Sequence, residues 1–99
     1  MIVPDKLKSK LMFVLKNHYA FEDHEVSDRT MGRLVRELDV DSIAVLELFL
    51  VIEDAFELEE KLSSKINMGE AVDFTMKQFI DELVKQIYKI RRAQENPPQ

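Results

Sequence analysis

Ser42-Ile43-Ala44-Val45-Leu46-Glu47-Leu48-Phe49-Leu50-Val51-Ile52-Glu53-Asp54-Ala55-Phe56 is the stretch whose reading decides the fold. No glycine or proline interrupts it. At about 100° per residue, Val45, Leu48, Phe49, Ile52 and Phe56 fall on one side of a helix. That stripe predicts a core-facing helix from Ser42 to about Phe56, with Ser42, a good N-cap residue, at its start. The opposite side holds Ile43, Glu47, Leu50 and Asp54. Two large aliphatic residues framed by carboxylates suggest an interaction face. A neighbouring helix packed over this side would bury Glu47 and Asp54 without partners, which is costly.

Outward from this stretch, helical spacing dominates. Asp5 is placed to cap a first helix with Leu7, Leu11, Val14, Leu15 and His18 as its apolar positions, fading near Tyr19. Residues 20 to 40 read as a long connection, with Phe21, Val26, Leu34, Val35 and Leu38 available to pin it to a core. After Phe56, Leu58, Leu62 and Ile66 keep helical spacing, and Asn67-Met68-Gly69 reads as a stop. Thr75 followed by Gln78 fits a capping box for a last helix, whose stripe is Met76, Phe79, Ile80, Leu83, Ile87 and Ile90. The expected fold is all-α, a four-helix bundle with a long loop between helices 1 and 2. Residues 1–95 are expected to form one domain and residues 96–99 a disordered tail.

The composition sets outer bounds. The chain has 99 residues, 45% of them hydrophobic and 33% charged, which is a globular composition. No apolar run is long enough to span a bilayer. The first residues lack the apolar core of a secretory signal, which predicts a cytoplasmic protein. There is no cysteine, so disulfides and thiolate chemistry are excluded. Net charge is −5, the wrong sign for a duplex-DNA binder. The charge is also segregated. Lys6, Lys8, Lys10 and Lys16 lie early, and Lys85, Lys89, Arg91 and Arg92 lie late. Between residues 37 and 60 there are nine acids and no lysine or arginine. Such a block is either a solvated face or an attractor of basic partners.

Leu38-Asp39-Val40-Asp41-Ser42-Ile43 resembles the Leu-Gly-x-Asp-Ser-Leu signature of acyl carrier proteins. The match continues in register through Glu47, in Leu46-Glu47-Leu48, and through the acidic run Glu53-Asp54-Ala55-Phe56 that ends in phenylalanine. The order of elements is similar too: helix, long loop, acidic helix, short element, Thr-led last helix. Asp39 stands where the family has glycine and Ile43 where it has leucine. The segment from Phe56 to Thr75 is longer than the family norm, and the last helix runs on through Arg92. The resemblance therefore implies a specialised carrier with a bundle of acyl-carrier type. It implies a phosphopantetheine arm on Ser42 and an Asp41 that contacts the phosphopantetheinyl transferase or its magnesium. It also implies a docking face of Ile43, Glu47, Leu50 and Asp54 for acyl-transferring or condensing enzymes with basic surfaces. The thioester traffic would serve fatty-acid, lipid or polyketide-type synthesis. The expected molecule is a monomer that is not itself an enzyme.

Other chemistry is thin. His18 and His24 have no ligand-spaced partners. Asp39-x-Asp41 opens like a calcium loop, but the required glycine is missing. There is no glycine-rich phosphate loop and no nucleophile-base-orienter set. Three other readings remain open: an aminoacyl or peptidyl carrier, an unmodified helical adaptor that uses the acidic face, and a small all-α enzyme.

Overall fold

A computed structural model of the chain describes residues 4–17, 31–38 and 41–95. These residues form four α-helices: α1 (Pro4–Lys16), α2 (Ser42–Ala55), α3 (Met68–Ala71) and α4 (Met76–Glu95). Two short 3₁₀ turns, Val35–Leu38 and Leu62–Ser64, lie between them. The described residues contain no strand, and a single antiparallel bridge joins Leu34 to Thr75. The chain is all-α.

Each helix begins for a local reason. Pro4 opens α1, where its missing N–H would have been unpaired in any case. Asp5 therefore sits inside the first turn and is not the cap, and its charge there suits the helix dipole. At α4 the capping box forms as expected. The Gln78 amide donates to Thr75 Oγ1 at 3.1 Å, and the Thr75 amide donates to Gln78 Oε1 at 2.9 Å. Asn67 is a start, not a stop: its side chain accepts from the Glu70 amide and caps α3. The expected helical run through Leu58, Leu62 and Ile66 is instead a loop and a 3₁₀ turn. Leu62 and Ile66 are still buried. The Glu53 carboxylate accepts from the Leu62 amide at 2.8 Å, which draws the chain back onto α2 and breaks the helical path.

The core joins Leu7, Leu11 and Leu15 of α1 to the stripes of α2 and α4. Every residue predicted for those two stripes is buried. Phe49 and Phe79 meet with ring centroids 6.4 Å apart and planes 23° from parallel, an offset aromatic pair at the centre of the core. Val35 and Leu38 are buried and pin the connection before α2. The expectations for His18, Tyr19, Phe21, His24, Val26, Asp39, Val40 and the 96–99 tail concern residues outside the described ones.

Rotation of α2 makes a direct prediction. Phe49→Ala removes a fully buried ring and should cost about 3–5 kcal/mol, enough to unfold much of so small a domain. Leu50→Ala, on the exposed side, should change stability by less than about 0.5 kcal/mol. Urea titrations of the two variants would show this contrast, and equal losses would mean that α2 is turned differently.

Candidate functional site

The start of α2 sets the geometry. Asp41 is extended, with φ −89° and ψ 179°, and its Oδ1 accepts from the Ala44 amide at 2.9 Å. Its backbone carbonyl accepts from the Val45 amide at 3.0 Å. Asp41 is thus the N-cap and Ser42 the first helical residue, which corrects the expectation that Ser42 caps the helix. Both residue types cap well. The extended backbone falls at Asp41, so the carboxylate takes the amide. Ser42 is exposed. It lines an open groove of about 310 Å³ with Arg36, Asp41, Gly69 and Val72.

From Ser42 the outer face of α2 runs away from the groove. Ile43 is 67% and Leu50 55% exposed, as the helical wheel predicts. Glu47 and Asp54 are exposed beside them. Leu46 and Val51 also reach solvent, at 38% and 44%. Sequence reasoning passed over these two. Leu46 was legible, because it lies three residues after Ile43 and four before Leu50, on the same face. Val51 was legible in the same way, since it lies four residues after Glu47 and three before Asp54. The face is therefore aliphatic with acids set into it. Glu53 is not among those acids, because it is half-buried and bonded to the Leu62 amide.

The far end of α2 is held by cations. Lys10 Nζ donates to the Ala55 carbonyl at 2.7 Å and lies 4.8 Å from the Phe56 ring centroid. Arg91 Nη1 donates to the Phe56 carbonyl at 3.4 Å. Positive charge suits the helix C-terminus. Glu57 takes a left-handed backbone, φ 54°. Its amide donates to Asp54 O at 3.2 Å and the Leu58 amide to Glu53 O at 2.9 Å, closing the helix in a Schellman turn. Gln94 then bridges the loop, accepting from the Glu59 amide and donating to the Glu57 carbonyl.

Among the described residues, no group of three or more His, Asp or Glu could hold a metal ion. No helix of the described residues is long and apolar enough to cross a membrane. Arg36, Gly69 and Val72 come to the site only through the fold, since they lie on the connection before α2 and around α3.

The reassigned cap is testable by thermal unfolding. Asp41→Ala should cost about 1 kcal/mol, the loss of an N-cap, whereas Ser42→Ala should stay within about 0.5 kcal/mol of the parent. The reverse order would restore Ser42 as the cap.

Comparison of the chain with protein-family models, curated proteins and solved structures finds no match to any of them.

Proposed function

We propose that this chain is an acyl carrier protein, with Ser42 as the attachment point of a phosphopantetheine arm. The observation that supports the reading most is a juxtaposition. An exposed serine follows an aspartate cap on the first turn of a helix, and the outer face of that helix carries acids among aliphatic side chains. Attachment joins Ser42 Oγ to the phosphorus of coenzyme A, breaks the bond to the 3′,5′-ADP leaving group, and passes the hydroxyl proton to a base of the transferase. The residues at hand fit such an arm. Ser42 is accessible, and the groove beside it is open and bounded by Gly69 and Val72. When attached, the arm supplies a thiol, which this cysteine-free chain lacks, to hold an acyl group as a thioester.

The chain's own residues do three things in this reading. Asp41 fixes the first turn of α2, so Ser42 faces outward at a constant place. Glu47 and Asp54 draw a basic partner toward that place. Ile43 and Leu50, with Leu46 beside them, give the partner an apolar anchor after encounter. Reaction chemistry on the acyl group then belongs to the partner enzymes.

Two measurements test the proposal. Incubated with a phosphopantetheinyl transferase and coenzyme A, the protein should gain the mass of one phosphopantetheinyl group, and Ser42→Ala should gain none. An unmodified helical adaptor would gain none in either form. Transferase rates on folded Glu47→Lys, Asp54→Lys and Leu50→Ser proteins should each fall, the two charge reversals more at low salt than at moderate salt. Unchanged rates in all three would place the docking face elsewhere.

A further inference from the structure

Resting on that reading, we infer that Arg36 positions the arm. Its guanidinium, held near Ser42 by Asp73, pairs with the phosphodiester and directs the arm along the groove walled by Gly69 and Val72.

The first argument is electrostatic. A diester on Ser42 Oγ adds a negative charge one residue from the Asp41 carboxylate. The Ala44 amide, which would otherwise greet an anion at this helix start, already serves Asp41. Two anions so close repel, and a guanidinium that shares its donors between Asp73 and the diester lowers that cost. Among the described residues lining the groove, Arg36 alone is cationic.

The second argument is placement. The Val35 amide donates to Phe74 O at 2.8 Å and the Arg36 amide to Val72 O at 2.9 Å. The Met76 amide donates to Arg33 O at 2.8 Å and the Lys77 amide to Met31 O at 3.0 Å. These four backbone bonds strap the segment from Met31 to Arg36 against the chain around the start of α4. The Arg36 backbone is therefore fixed at the groove, and only its side chain remains to be aimed. Asp73 does the aiming, through an ion pair with the guanidinium.

The third argument is capacity. The Arg36 and Asp73 side chains are 56% and 57% exposed, so their pair by itself adds little stability. A guanidinium carries five donors in a planar fork, and a carboxylate engages at most two of them in a bidentate pair. Donors are left for two phosphate oxygens, a match that lysine's point charge does not make. Half-buried Val72 gives the groove an apolar wall for the gem-dimethyl end of the arm.

The test follows the Arg36 side chain by NMR. Wild-type protein is converted with a transferase and coenzyme A, and intact mass records the conversion. The Arg36 Nε–Hε resonance should then move downfield between the unmodified and modified forms. Those of Arg33 and of Arg91, at the far end of α2, should stay in place. Ser42→Ala, treated identically, should show no movement. In fully modified protein the ³¹P resonance of the diester should shift on Arg36→Gln and be only partly restored by Arg36→Lys. An Arg36 resonance that is the same before and after modification, with a ³¹P signal indifferent to Arg36→Gln, overturns the inference and leaves Ser42 as the attachment point. Failure of the wild-type protein to gain the mass overturns the reading beneath it, and the inference with it.

Discussion

The contact of Phe49 with Phe79 fixes how α2 is turned, and the make-up of its outer face follows from that turn. The helix carries large apolar residues on both sides, and the acids Glu47 and Asp54 mark the outer one. The aromatic pair, with Val45, Leu48 and Ile52 around it, takes one side into the core. Ile43 and Leu50 are thereby committed to solvent together with Glu47 and Asp54. A turn of one residue in one direction would carry Glu47 inward and Phe49 outward, and both changes are costly.

The two ends of α2 are built for different tasks. At its start Asp41 satisfies an amide with a short side chain and leaves Ser42 open. At its end three elements converge: Lys10 from α1, Arg91 and Gln94 from α4, and the Schellman turn through Glu57. The heavily tied end anchors the helix to the bundle. Among the described residues, the start of α2 carries fewer such ties and leaves the serine exposed. A helix held this way keeps its exposed face at a constant angle to the rest of the molecule.

Much of this was legible before any coordinates. The α4 stripe and its Thr75–Gln78 box are local signals that depend on nothing distant, and they appear as read. The buried stripe of α2 was equally plain. What was misread turns on choices between adjacent or equivalent residues. Asp41 and Ser42 are both good caps, and only the backbone at Asp41 settles the matter. Asn67 can end a helix or begin one, and the Glu70 amide makes it a beginning. The course from Glu57 to Ile66 depends on Glu53 and Gln94, whose bonds reach across the fold and leave no periodic trace. Arg36 was invisible for the same reason. Its partner Asp73 and the groove beside Ser42 exist only once the strap to α4 has formed.

That strap and the aromatic pair both depend on α4, which is synthesised after α2. While the chain is being made, Phe49 emerges well before Phe79, and α2 has α1 but not yet α4 on which to bury its core stripe. A nascent chain that ends between Phe56 and Met76 therefore leaves part of the α2 core stripe uncovered while its outer face already shows aliphatic residues, the kind of species that aggregates or recruits chaperones. Glu47 and Asp54 then act as gatekeepers, interrupting an otherwise continuous aliphatic surface with charge. The same two carboxylates that face solvent in the finished fold would protect the unfinished one, and their value to the protein begins before folding is complete.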